Sequence, residues 1–137
     1  MKLKATLFLL GVIFITNVTS ANNNDDCRNN LSLFAEQAKI ENYEGAFPYL
    51  KKLREECPKS SLSIYQYGER IYKSRIEKAS EAEKMNEYNE YKKLMRERLQ
   101  NFPESLKEGA MLADFAQVMF DNKIGTPQEQ FDALDSA

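Results

Sequence analysis

Beyond residue 20 the chain holds only seven β-branched residues: Val118, Thr126 and five isoleucines. Sheets draw heavily on these residue types, so a chain this poor in them is expected to be all-α. The local punctuation agrees. Asp25 and Asp26 place negative charge where a first helix, about Arg28 to Glu41, should begin. A turn at Glu41-Asn42-Tyr43 leads into a second helix, Glu44 to Glu56, halted by Pro58, which keeps its predecessor out of helical conformation. Ser60 or Ser61 can cap a third helix reaching about Lys78. Ser80-x-x-Glu83 has the form of a capping box and opens a fourth. That helix carries Met85, Tyr88, Tyr91, Met95, Leu99 and Phe102 at steps of three or four, and Pro103 ends it. A fifth spans roughly Ser105 to Asn122 and closes at Gly125; Thr126-Pro127-Gln128-Glu129 then starts a sixth. One signal conflicts. Pro48 falls inside the second helix, so that helix either starts late or bends near Glu44.

Residues 1–20 read as a signal peptide. Lys2 and Lys4 precede an apolar run from Ala5 to Ile15, and small residues follow at Val18-x-Ser20 and Thr19-x-Ala21. The run is about half the ~20 residues a membrane-spanning helix needs, so a retained anchor is the lesser reading. The mature chain would be residues 21–137: exported, periplasmic or associated with the outer membrane or secreted, with no membrane span after cleavage. Export favours pairing of the two cysteines. Cys27 and Cys57 bracket the first two helices, each roughly 21 Å long, and an antiparallel pair returns Cys57 to the end where Cys27 sits. A Cys27–Cys57 disulfide is predicted, with two free thiols or an intermolecular bridge as the alternative.

Composition removes many activities. The chain has no His, which excludes Ser-His and Cys-His nucleophile pairs, HExxH zinc sites and an imidazole proton shuttle. Two Cys exclude a four-Cys zinc site. With 19 basic against 21 acidic residues, a net charge of -2, no nucleic-acid partner is expected, since wholesale nucleic-acid binding usually needs a strongly basic face. No glycine-rich phosphate loop, calcium loop or metal-spaced cluster occurs, and no cofactor or metal is expected. The best remaining enzyme reading is a carboxylate pair acting on a glycan, for which Asp114, between Ala113 and Phe115, is the one candidate. An exposed helix position is the plainer account of Asp114, and the chain is read as not an enzyme.

Helices arriving in pairs invite a search for repeats. Ala46-x3-Leu50-x2-Leu53-x4-Pro58 ends one pair, Ile64-x2-Tyr67-Gly68-x2-Ile71 opens the next, and Gly109-x2-Leu112-Ala113-x2-Ala116 opens a third. These spacings resemble the tetratricopeptide repeat, with large-x2-Leu-small-x2-large in its first helix and Ala-x3-aromatic with a closing Pro in its second. The small residues (Gly68, Ala113, Ala46) let helices approach, and the large ones fill the grooves beside them. The first repeat departs from the pattern at Phe34, where a small residue is expected, and the second is stretched to 45 residues between Pro58 and Pro103. Together with the leader, Cys27, Asn42-Tyr43-Glu44-Gly45-Ala46 and Asn122-Lys123-Ile124-Gly125-Thr126-Pro127, the chain is similar to exported tetratricopeptide proteins of Gram-negative bacteria.

The resemblance implies hairpins of about 27–58, 59–103 and 104–137, stacked as a solenoid whose first helices line a concave groove for a protein or peptide partner in the cell envelope. It places Arg28, Leu31, Ala35, Ala38 and Lys39 of the first repeat, and Leu62, Tyr65, Glu69, Tyr72 and Lys73 of the second, along that groove. Tyr65 and Tyr72 lie seven apart on one helix face and would supply contact area for recognition, or else pack against the neighbouring repeat. Lys73 and Glu69 read as a solvated pair four residues apart. Lys51-Lys52-Arg54 and Lys92-Lys93-Arg96-Arg98, interleaved with Glu55, Glu56, Glu87, Glu90 and Glu97, read as solvated helix faces. Asn30-Leu31-Ser32 matches a glycosylation acceptor but falls on a helix. Arrays of this kind end in a polar capping helix, and none is apparent. Either the native chain continues past Ala137, or the edge around Phe120, Phe131 and Leu134 binds a partner as a structural subunit or assembly factor would.

Overall fold

The computed structural model describes residues 19–135, with side chains from Asn24 onward. All but two residues of the expected leader lie outside the described residues. Among those described there are six α-helices and no strand: α1 (Thr19–Lys39), α2 (Tyr43–Glu56), α3 (Ser63–Lys78), α4 (Glu81–Asn101), α5 (Glu108–Asp121) and α6 (Pro127–Asp135), with a 3-10 turn at Pro103–Ser105. The chain is all-α. The closest packing is between sequence neighbours α1 and α2, α3 and α4, and α5 and α6, while α2 on α3 and α4 on α5 join the pairs.

Two boundaries differ from the sequence reading, those of the first and fifth helices, and the conflict at Pro48 is resolved. The first helix already includes Thr19, the first described residue, and so extends well ahead of the expected start at Arg28, with no Pro or Gly between the two. Pro48 does not delay α2. Asn42 caps that helix by accepting the Gly45 N–H at 3.2 Å, and Pro48 sits in its second turn, exposed to solvent. The fifth helix starts at Glu108, after the 3-10 turn that Pro103 nucleates. At α4 and α6 the caps act as read, whereas the N-cap of α3 is Leu62, which makes no side-chain cap bond, and Ser61 lies one residue ahead of it. Ser61 Oγ accepts the Ser63 N–H at 3.2 Å. The Ser80–Glu83 capping box opens α4, and Thr126 Oγ1 accepts the Glu129 N–H while the Glu129 carboxylate accepts that of Thr126.

α1 and α5 end in the same way. Asn42 N–H reaches the Gln37 carbonyl and Glu41 N–H that of Ala38; in α5, Ile124 reaches Met119 and Lys123 reaches Phe120. This is the Schellman pattern, and its left-handed residue is Glu41 (φ 59°) in one case and Lys123 (φ 54°) in the other.

The core runs through all three pairs. Phe34, Ala46, Leu50, Leu53, Ile64, Ile71, Ile76, Tyr91 and Leu94 are fully buried, and Met111, Phe115 and Val118 carry the core into α5. Gly68 is the tightest point. A Cβ there would lie 3.0 Å from both Leu94 methyls and 3.1 Å from a Leu50 methyl, so α2, α3 and α4 meet where a larger residue would need these leucine ends to give way. Ala113, read as the matching small contact of the third pair, is exposed instead; Ala116 and Leu112 face the core. Cys27 and Cys57 are bonded, with Cα atoms 6.0 Å apart, and close the α1–α2 pair at its open end.

Candidate functional site

The site that sequence and packing build together is a hollow surface across α1 and α3. Leu31, Ser32, Ala35, Glu36 and Lys39 of α1 and Ile40 of the following turn, with Ser63 of α3, line about 580 Å³. Ser63, Gln66, Tyr67, Glu69 and Arg70 of α3, with Arg98 of α4, enclose about 450 Å³. Ser63 lines both, so the two hollows adjoin.

Of the groove positions expected in the first repeat, Leu31, Ala35 and Lys39 line this surface; Ala38 is buried and Arg28 lies outside the lining. In the second repeat only Glu69 does so. Tyr65 and Tyr72 require correction as recognition residues, because both rings are buried (0 and 2 % exposed). Tyr65 donates its hydroxyl to the Pro58 carbonyl at 3.1 Å, accepts from Asn101 at 2.8 Å, and packs edge-on against Phe102. Tyr72 packs edge-on against Phe47 and accepts a hydrogen bond from Arg54 at 3.0 Å. Burial raises the pKa of both phenols above the usual tyrosine value. The physical reason is that α3 is flanked by α2 and α4, so most of its circumference is core and a narrow stripe stays open. Leu62 opens onto a different hollow of about 480 Å³, formed with residues 101–105.

The aromatic ring that does reach the groove is Tyr67, assigned from sequence to packing. Its inner edge meets Phe34 at 6.1 Å between ring centroids, and the Arg70 guanidinium lies 5.6 Å from its centroid. Phe34, where the repeat pattern wants a small residue, is thus the support on which the ring rests. Gln66, Arg70 and Arg98 were also missed. Gln66 and Arg70 follow from the one-residue rotation of the open stripe of α3 away from Tyr65; Arg98 comes from α4, where no local pattern marks it.

The charged residues behind the groove are joints. Arg54 was expected on a solvated face, but its side chain is only 9 % exposed: it makes two hydrogen bonds to Glu97 (2.8 and 2.9 Å) and one to Tyr72. Burial alone would lower its pKa, but the Glu97 and Tyr72 contacts outweigh it and the net shift is upward. Arg75, one turn further along α3 from Tyr72, does the same, bonded to Glu87 at 2.6 and 3.0 Å and lying 3.8 Å from the Phe47 ring centroid.

The Lys73–Glu69 pair is real (2.9 Å) but not isolated. Lys73 also donates to Asp114 at 2.7 Å, and Asp114 accepts a hydrogen bond from the Tyr91 hydroxyl. Arg98 reaches Glu69 at 3.3 Å and the Ser105 carbonyl at 2.9 Å. Burial tends to lower the Lys73 pKa, and the bonds from Asp114 and Glu69 reverse it. Burial, then Asp114, drives the Tyr91 phenol far above its normal range. Asp114 is therefore neither a free surface carboxylate nor isolated in an apolar wall. Two acids balance two bases, and no buried polar side-chain atom among the described residues lacks a partner.

Among the described residues no group of three or more His, Cys, Asp or Glu could hold a metal ion, and no helix is long and apolar enough to cross a membrane. Compared with known protein families, with curated proteins and with solved structures, the chain matches none of them.

Proposed function

We propose that this chain is an exported, non-catalytic scaffold of the cell envelope, built as a tetratricopeptide-like stack of three hairpins, that binds a peptide or protein segment along α1 and α3. The observation that carries the reading is the surface at Ser63, where two hollows on the first helices of successive hairpins adjoin. It offers an extended segment one supported aromatic (Tyr67), apolar contacts (Leu31, Ala35) and polar groups (the exposed Gln66 and Arg70 and the anchored Arg98), the mixture that recognition surfaces use. Binding here needs no covalent step and no cofactor. The Cys27–Cys57 bond and the leader-like first 20 residues support an oxidising destination.

Selection from a displayed random-peptide library tests this. Peptides enriched on the full chain should lose about tenfold or more in affinity on Arg70→Glu and on Tyr67→Ala, as for central contacts elsewhere. Selected peptides that bind both variants unchanged would remove the groove from consideration.

A second reading rests on the last hairpin. Phe120, Phe131 and Leu134 are 59, 62 and 51 % exposed, and α6 has no buried residue. A structural subunit or assembly factor would associate through this edge, and Phe131→Ser with Leu134→Ser would abolish the association while sparing groove binding.

A further inference from the structure

The charge of the chain is unevenly distributed, and the imbalance coincides with the exposed apolar edge. From Asn24 to Lys107 there are sixteen basic and fifteen acidic residues. From Glu108 to Asp135 there are six acidic residues and a single base, Lys123. Asp114 is held by Lys73, and Glu129 is used in capping α6. The rest are not neutralised. Asp121, Asp132 and Asp135 form no ion pair among the described residues; Asp121 and Asp132 accept only neutral amide hydrogens, from Gln117 and Gln128 at 2.8 and 2.7 Å.

The placement along α6 is regular. Phe131 and Leu134 are three residues apart and share one side of the helix; Asp132 and Asp135, one step on, share the adjacent side. An apolar stripe thus runs beside an acidic one along α6, and α5, packed against α6, ends in the exposed Phe120 and in Asp121.

We propose that this edge docks a basic amphipathic helix of another protein, its apolar face laid on Phe120, Phe131 and Leu134 and its Lys or Arg residues set against Asp121, Asp132 and Asp135. The inference rests on the second reading above and names its partner class. A helix with apolar residues at every third and fourth position and bases on the flanks matches both stripes at once. A second copy of this chain would bring acid against acid, as would an anionic lipid surface, so charge selects against both.

The test uses the full chain and three labelled synthetic peptides of about 18 residues: a Leu/Lys amphipathic helix, the same helix with Glu for Lys, and a scrambled Leu/Lys sequence. Fluorescence anisotropy should show binding of the first, about tenfold or more weaker binding of the other two, and weakening as salt rises. Phe131→Ser with Leu134→Ser should remove binding. Both side chains are exposed, so the fold should survive, and circular dichroism checks that it does. Asp121→Asn with Asp132→Asn and Asp135→Asn should remove most of the salt dependence. Equal binding of the Glu peptide, dependent on Phe131 and Leu134, overturns the charge assignment but leaves the edge as an interface. So does sedimentation showing a dimer that the Ser variant dissolves. Equal binding of the scrambled peptide overturns the helix geometry. Binding indifferent to the Ser variant, or absent altogether, overturns both the proposal and the reading beneath it.

Discussion

The first and last hairpins turn by the same local device and are held by very different means. Both leave their first helix through a Schellman turn with a left-handed non-glycine residue, Glu41 or Lys123. Beyond the turn they diverge. In the first, Ala46, Leu50 and Leu53 of α2 are fully buried, a disulfide closes the open end, and Arg54 is clamped to Glu97 of α4. In the last, α6 buries nothing completely and carries Phe131 and Leu134 outward. Turn chemistry therefore decides where a hairpin forms, while long-range burial and cross-linking decide how firmly it is held.

The largest expected contrast is in the core. Leu50→Ala should cost about 2–5 kcal/mol in urea unfolding, whereas Phe131→Ala, at an exposed site, should change stability by about 0.5 kcal/mol or less. A comparable loss at both would mean the last hairpin is as tightly packed as the first. Next comes the staple: replacing Cys27 and Cys57 together by Ser should remove about 3–4 kcal/mol in the chain-entropy picture of a loop this long. Amide exchange should locate that loss in α1 and α2, leaving the α5–α6 pair unchanged.

A third measurement addresses how the last hairpin is attached. Tyr88 of α4 is buried against Phe115 and donates to its carbonyl at 3.2 Å, and burial pushes its phenol up to about 12. A phenol whose folded-state pKa exceeds the unfolded value near 10 keeps its full contribution below pH 10 and loses it as pH rises towards 12. Stability should therefore fall across that window. Tyr88→Phe should cost about 1 kcal/mol at neutral pH, through the lost hydrogen bond, and flatten the alkaline decline. An unchanged alkaline slope would exclude Tyr88 as its source.

The smallest effect concerns the shared turn. Glu41→Gly and Lys123→Gly relieve the left-handed strain at some cost in chain entropy, and each should stabilise by about 0.5–1 kcal/mol. Thermal melts giving similar gains at both sites would show the two turns to be energetically alike despite their surroundings.

Much of the helical layout was legible because its signals are local. The Ser80–Glu83 box, the Thr126-Pro127-Glu129 start and the halt before Pro58 each act within one turn. Gly68 was legible too, since a lone small residue among large ones marks a close approach. The groove face of α3 was not. Seven-residue spacing puts Tyr65 and Tyr72 on one side of a helix without saying whether that side faces solvent or two other helices. Arg54 and Glu97 are 43 residues apart, and no local pattern marks that they meet. Asp114 was noticed for its apolar neighbours in sequence, whereas its partners Lys73 and Tyr91 come from two other helices.

Gly68 has a consequence on the far side of its helix. Its back meets α2 and α4 at the Leu50 and Leu94 methyls, while its own helix meets α1 at the front through Phe34 and Tyr67. A methyl group added at Gly68 would press on those leucine ends at 3.0–3.1 Å, and they would have to yield by a few tenths of an ångström, on the side of α3 away from Ser63. One hydrogen atom thus stands between two layers of the core that the disulfide does not reach.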